Sequence, residues 1–403
     1  MKKNAFTLVE LLAVIAILTI IMVISVPQLI TSIKNKKTDA LEKTKDLLIS
    51  AARNYVIDYE LKVPTSISIE TLCKNDYLEC PIKNPIDNSN LNGYVNVDDN
   101  KVYVYSDTRD YITIKDYIID LYNDESLRTS NGLKKDNTVD TNIRYYGSDP
   151  NNYVRFNNEL WRIIGVFGNN VKLVRSESLG SLSWDSSDSS INKGNGINQW
   201  GESTDVNGNT YLGADLQVYL NKMYYGGVET TCYNGADNSE TTCPTNTLDR
   251  TAKLLIDKHT WSLGAIEMSI EDTISFYNAE RGTAKWTGYV ALPYITDWAY
   301  ASSESACETN IQTKDSSNLF VCKNNNWMQR SDWTWYLSPS GQSADASNAW
   351  AVSGNNNYVY YRMFGAMNKF ASFGFDVAPS IYLKSSVLMK GGSGTSSDPY
   401  KLA

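Results

Sequence analysis

Residues 6–30 read FTLVELLAVIAILTIIMVISVPQLI, an apolar run with one charged residue, Glu10, and a late proline, Pro27. A helix rises about 1.5 Å per residue, and about 20 apolar residues cross a bilayer core. Residues 6–30 therefore predict a transmembrane helix. Lys2 and Lys3 precede it, and such a basic flank stays cytoplasmic, which directs the remainder outward. Pro27 removes one helix hydrogen bond and loosens the turn before it. A collar, Lys34-Asn35-Lys36-Lys37, follows. Leu41, Leu48, Ala52, Tyr55, Val56 and Tyr59 then recur at helical spacing, so the helix continues to about residue 60 with one apolar face for a globular head.

Beyond it the period changes. Pro64, Pro81 and Pro85 break the helix, and Tyr94–Val97 and Lys101–Tyr105 alternate around Asp98-Asp99-Asn100, the pattern of a β-hairpin. Ile114, Tyr117, Ile118, Leu121 and Tyr122 predict a helix, and the aperiodic polar stretch 124–142 predicts a linker. Further on, Tyr153–Phe156, Leu160–Val166 and Val171–Arg175 read as strands, the first two joined by Asn157-Asn158. Asp215–Tyr225, Asp249–Asp257 and Glu271–Tyr277 read as helices, and Tyr358–Phe364 and Ser380–Leu383 as closing strands. Trp286, Trp298, Trp327, Trp333, Trp335 and Trp350 are spread through the turn-rich remainder as core anchors. The fold class is α+β. The expected organisation is a leader at 1–5, a long helix at 6–60, a small hairpin-containing head at 61–123, a linker at 124–142 and a larger loop-rich α+β module at 143–403.

Composition narrows the setting. A formal net charge of -8 argues against nonspecific nucleic-acid binding by the bulk of the chain. Abundant Tyr and Trp, with Ser, Thr, Asn and Gly filling the second half, suit an extracellular surface protein. The cysteines fall in neighbouring pairs, Cys73/Cys80, Cys232/Cys243 and Cys307/Cys322. Sequence leaves their connectivity open, but local pairing is economical because each pair brackets a polar loop. Disulfides would place the chain in an oxidising compartment.

A carboxylate at the centre of a membrane helix costs roughly 2.5–3.5 kcal/mol. Glu10 lies nearer one end, and no residue from Phe6 to Ile24 carries a positive side chain. Its partner must come from another chain or a terminus. The stretch Lys2-Lys3-Asn4-Ala5-Phe6-Thr7-Leu8-Val9-Glu10 resembles the prepilin motif of type IV pilins and pseudopilins. The resemblance implies that a membrane peptidase cuts between Ala5 and Phe6 and methylates the new amine of Phe6. The family usually has glycine where this chain has Ala5. In a stack of such subunits, Glu10 of one chain would meet the Phe6 amine of its neighbour, neutralising two charges and fixing axial register. Implied partners are other pilin subunits, the prepilin peptidase, a pilus or secretion assembly platform and the membrane. The implied location is a single-pass membrane protein with an extracellular C-terminus, carried into a surface filament after assembly.

Candidate chemistry elsewhere is sparse. His259, the single histidine, lacks a G-x-S-x-G elbow or a second imidazole, and reads as a structural side chain. Glu267, Glu271 and Asp272 read as a solvated face. Asp205-Val206-Asn207-Gly208-Asn209 begins like a calcium loop, but position twelve is Leu216, so it reads as an Asx/Gly turn. Neither cofactor nor metal is expected, and no enzyme activity. The stretches WTWYLSPSGQSADASNAWAV and FDVAPSIYLKSS resemble the closing core of C-type-lectin-like bacterial surface modules, which implies a surface glycan or protein ligand. The resulting expectation is a pilin-like, minor filament subunit with an adhesion or ligand-binding module. Two alternatives remain: a pseudopilin of a secretion or competence DNA-uptake machine, for which DNA would be a partner, and a membrane-tethered surface enzyme.

Overall fold

Leucine, alanine and isoleucine carry the N-terminal region into one helix, α1 (Leu8–Asp58), which continues through Pro27. The computed structural model describes residues 8–185, 200–201, 203–204, 208, 210–211, 213–234, 239–264, 270, 272–309, 311, 321–330, 334–337, 350–353, 359–360 and 374–403. Two compact units result, Met1–Ile112 and Thr113–Ala403.

In the first unit, α1 contributes Leu48, Ala51, Ala52 and Val56 to a core shared with Ile67, Leu72, Val95 and Val97. These positions recur one helical turn apart, so one stripe of the helix is covered. Each fully buried Leu, Ile or Val contributes roughly 1.5–3 kcal/mol. The sheet under this stripe is antiparallel, in the order β1 (Thr65–Ser68), β2 (Tyr94–Val97), β3 (Tyr103–Ser106). The expected hairpin is β2–β3, with Val97 opposite Tyr103. In its turn, Asp98 Oδ1 accepts the amides of Asn100 at 2.9 Å and Val102 at 2.8 Å. A short helix, α2 (Ile69–Lys74), is capped by the Ser68 hydroxyl, which accepts the Thr71 amide at 3.0 Å. It is too short to show a period in sequence. The Cys73–Cys80 disulfide staples its end to the following loop.

The second unit is built on a large sheet. Its path runs Val290–Ala291, Ser380–Leu383, Asn170–Arg175, Glu159–Phe167, Tyr153–Phe156, Tyr400–Leu402, Leu388–Gly391. The neighbours pair antiparallel except Tyr153–Phe156 and Tyr400–Leu402, which pair parallel. Asn157 and Asn158 have φ of +53° and +59°, the left-handed pair that a two-residue hairpin requires. Ile143–Tyr145 branches onto Glu159–Phe167 beside a register shift at Gly165. A Cβ on Gly165 would stand 2.2 Å from the Ile143 carbonyl oxygen, so only glycine fits that crossing.

The helix expected after the head forms at Ile114–Asn123, but its Ile114, Ile118 and Leu121 belong to the core of the second unit. The division between units therefore lies ahead of it. Residues 124–142, read as a linker, contain helix Glu125–Asn131 and strand Leu133–Lys135, which pairs with Ile143–Tyr145. Their polarity reflects caps and turns: Asp124 accepts the Leu127 amide at 3.0 Å, and Gly132 closes the helix at φ +67°. Asp215–Val218 is helical and passes into a wider π-helical segment, Tyr219–Tyr225. Helices Arg250–Leu255 and Thr273–Glu280 are capped by Asp249 and Asp272. Of the expected strand Tyr358–Phe364, only Val359–Tyr360 falls within the described residues. Trp161, Trp184, Trp200, Trp261, Trp298 and Trp335 are fully buried.

The other two cysteine pairs are also local disulfides, Cys232–Cys243 and Cys307–Cys322, with Cα separations of 5.2 Å and 5.4 Å. Cys307 and Cys322 lie in the buried cluster around Trp298 and Trp335. Their bond closes a span of 15 residues. Replacing both by alanine is expected to lower unfolding free energy by about 3 kcal/mol. Denaturant melts of the purified protein check this, and an unchanged midpoint would show that the loop is held without the bond.

Candidate functional site

Two places gather chemistry, and the first is the start of α1. Glu10 lies in the first described turn of the helix, and its side chain is exposed. Around it Leu8 is 74% exposed, Val9 73%, Leu12 58%, Ile17 58% and Ile20 61%, so the apolar side chains are uncovered on every side of the helix. A helix that is apolar all round requires an apolar surrounding. Downstream the same helix is amphipathic and packed. Lys37, in the polar collar, donates to the Ile86 carbonyl oxygen at 2.8 Å. Ala5 and Phe6, the expected processing pair, lie outside the described residues. Among the described residues no helix is long and apolar enough to cross a membrane, and the expected span at 6–30 lies partly outside them.

The second place was not visible in sequence. Six charged side chains meet inside the second unit: Asp136, Arg144, Lys172, Glu280, Arg281 and Asp297. Arg144 donates from Nε to Asp136 at 2.6 Å and from Nη1 to Asp297 Oδ1 at 2.7 Å. Lys172 Nζ donates to Asp297 Oδ2 at 2.5 Å. The backbone amide of Tyr294, the residue ahead of helix Ile295–Tyr300, donates to the same oxygen at 2.9 Å. Arg281 Nη1 donates to Glu280 Oε2 at 2.8 Å, and Glu280 also accepts the Thr296 amide at 3.1 Å and the Thr296 hydroxyl. The side chains of Lys172 and Asp297 are 0% exposed.

Opposed charges decide the titration of these groups. Burial works against the Lys172 ammonium and takes it down to about 8, with Asp297 resisting. Burial also opposes the Asp297 carboxylate, yet Lys172 and Arg144 outweigh it and hold the group at about 2. Glu280 is pushed up by burial against the pull of Arg281. The cluster balances as three cations and three carboxylates. Its only sequence trace is Lys172 inside the apolar run Val171–Val174. Alternation gives that lysine an exposed face, whereas both faces of this central strand are buried.

The residues weighed for other chemistry fall elsewhere or into packing. His259 stacks on Tyr382 with ring centroids 3.7 Å apart and bonds Asp257 at 3.3 Å, and burial lowers its pKa. Asp272 caps Thr273–Glu280 by accepting the Ser275 amide at 2.7 Å, while Glu267 and Glu271 lie outside the described residues. Of the supposed calcium turn only Gly208 is described. Among the described residues no three His, Cys, Asp or Glu side chains converge as a metal set. Much of the lectin-like stretch, including Trp333 and residues 338–349, also lies outside them.

Asp136 gives a test of the cluster. It is Arg144's nearest carboxylate, and Arg144 outweighs burial to hold its carboxyl below the ordinary 3.8. A depressed carboxyl stabilises the fold above its unfolded pKa, and that stability is lost as pH falls through the folded pKa. The parent is therefore expected to lose more stability than Asp136→Asn as pH falls from about 5 to about 3. Near neutral pH, Asp136→Ala is expected to cost about 3–5 kcal/mol, because it leaves a buried guanidinium short of counter-charge. Denaturant midpoints across pH check both expectations, and equal slopes would contradict the first.

Comparison with known proteins bears on the first place. Residues 1–26 match the family model described as the prokaryotic N-terminal methylation motif. No curated protein and no solved structure matches the chain. The matched residues enclose Ala5, Phe6 and Glu10 and the exposed apolar start of α1. The chain thus opens with the prokaryotic N-terminal methylation motif, and its similarity to type IV pilins and pseudopilins rests on residues 1–26.

Proposed function

We propose that this chain is a minor subunit of a type IV surface filament, held in the membrane by α1 before assembly. On this reading its second unit stands outside the cell and binds a surface glycan or protein. The observation that carries the reading is the start of α1, apolar and exposed all round beneath a methylation motif. Such a surface is stable only in lipid or against like helices. A second unit of residues 113–403 is bulky for a subunit made in quantity, which favours a minor position at the tip or along the shaft. Three disulfides suit an oxidising compartment outside the cytoplasm. The role assigned to the second unit is binding, with no catalysis.

The reading places the mature N-terminus at Phe6. Peptide mass spectrometry of protein from cells with an active prepilin peptidase is expected to find Phe6 first and methylated; an intact Met1 there contradicts the proposal.

Glu10 tests assembly separately from processing. Glu10→Gln removes the charge that answers a neighbour's Phe6 amine and eases insertion, since an amide costs less in lipid than a carboxylate. An unpaired buried charge costs about 3–5 kcal/mol, enough to empty the filament fraction. Membrane levels and processing are expected to match the parent, with little subunit in sheared filaments. Glu10→Asp is expected to fall between, its charge kept and its reach shortened. Parental amounts of Glu10→Gln in filaments would rule out this pairing.

A further inference from the structure

Lys172 and Asp297 bring an amine and a carboxyl group together in a site closed to solvent. We propose that these two side chains condense in the folded protein into an intramolecular amide, an isopeptide bond between strand Asn170–Arg175 and helix Ile295–Tyr300. The proposal stands independently of the filament reading, because it rests on residues of the second unit alone.

Four observations carry it. The amine and the carboxylate that would acylate it are already paired, with Nζ 2.5 Å from Oδ2, the oxygen that would leave. Holding two reactants in contact replaces a bimolecular step by an effectively unimolecular one. Both side chains are 0% exposed. The rings of Tyr294, Trp261, Tyr382 and Phe167 lie 4.2 Å to 5.6 Å from the lysine nitrogen. Such an enclosure excludes the water that would reverse the reaction. The carboxylate is fixed at both oxygens, Oδ1 by Arg144 Nη1 at 2.7 Å and Oδ2 by the Tyr294 amide at 2.9 Å. As nitrogen adds to Cγ, negative charge grows on Oδ1, where the guanidinium already points.

The fourth observation is the charge balance. Condensation removes one cation and one carboxylate from the buried cluster. Arg144 keeps Asp136 at 2.6 Å, and Arg281 keeps Glu280 at 2.8 Å, so every remaining charge still has a partner. Two charges that are costly to bury become one neutral amide, whose oxygen still accepts from Arg144.

The step balances without a co-reactant. The Nζ–Cγ bond forms and the Cγ–Oδ2 bond breaks. Two of the three ammonium hydrogens leave with Oδ2 as water, and the third stays on the amide nitrogen. Nothing is oxidised or reduced, and no net proton is taken up or released. Burial, which lowers the Lys172 ammonium to about 8, makes its free amine more accessible near neutral pH. The bond would close a loop of 125 residues that contains the Cys232–Cys243 disulfide. Unlike that disulfide it would survive reduction.

Mass spectrometry of the purified full chain, reduced and denatured, tests this directly. After allowance for the measured N-terminus, the parent is expected to be lighter than its sequence by one water. Trypsin is expected to leave the Lys172 site uncut and to release the Lys172 and Asp297 peptides as one branched species. An amine-reactive label added after unfolding is expected to miss Lys172. Lys172→Met and Asp297→Ala are each expected to restore the full mass. The parent alone decides the matter even where these variants fold poorly. Full mass, separate linear peptides and a labelled Lys172 in the parent would show an ordinary buried ion pair and overturn the proposal.

Discussion

An apolar helix surface with a carboxylate set into it cannot stand in water, and the start of α1 is such a surface. Leu8, Val9, Leu12, Ile17 and Ile20 face outward with no cover from the rest of the described chain. The hydrophobic effect therefore demands a second apolar body, lipid or another helix. Glu10 sharpens the demand, since in either surrounding its charge is stable only near an opposite one. Further along the same helix the constraint is met internally, where Leu48, Ala52 and Val56 lie on β1–β3. One continuous helix thus ends in a packed head and begins in a surface that is incomplete alone.

The second unit solves a different problem. The central strands of its sheet are covered on both faces, yet the unit encloses three cations and three carboxylates. Buried ion pairs seldom add stability over apolar packing, but losing one partner leaves a costly charge. The cluster therefore joins strands Ile143–Tyr145 and Asn170–Arg175 to helix Ile295–Tyr300 with little tolerance for change. Aromatic rings complete it: Arg144 lies over Phe167 and Tyr300, and Lys172 over Tyr294. The local disulfides tie down single loops, whereas the ionic cluster connects segments far apart in sequence.

Period carried most of the fold from sequence, and failed where tertiary context decides. Alternation around Asp98-Asp99-Asn100 and around Asn157-Asn158 marked two hairpins, because local turn chemistry fixes them. Helical spacing marked Ile114–Asn123 but not its allegiance, since an apolar stripe does not say which core it enters. Residues 124–142 looked like a linker because capping residues and linker residues share a polar composition. The methylation motif was legible because its residues are contiguous. The ionic cluster was not, because it is assembled from segments far apart in sequence and each member alone resembles a surface charge. Lys172 shows the difficulty: only a sheet covered on both faces turns its polar position inward.

The central claim is that α1 draws this chain into a filament that displays the second unit. Immunogold electron microscopy of sheared filaments, with antibody raised against residues 113–403, tests it most directly. The account predicts gold on filaments at sparse positions along the shaft or at the tip, and none on filaments from cells lacking the chain. Unlabelled filaments from cells whose membranes hold abundant, processed protein would contradict it.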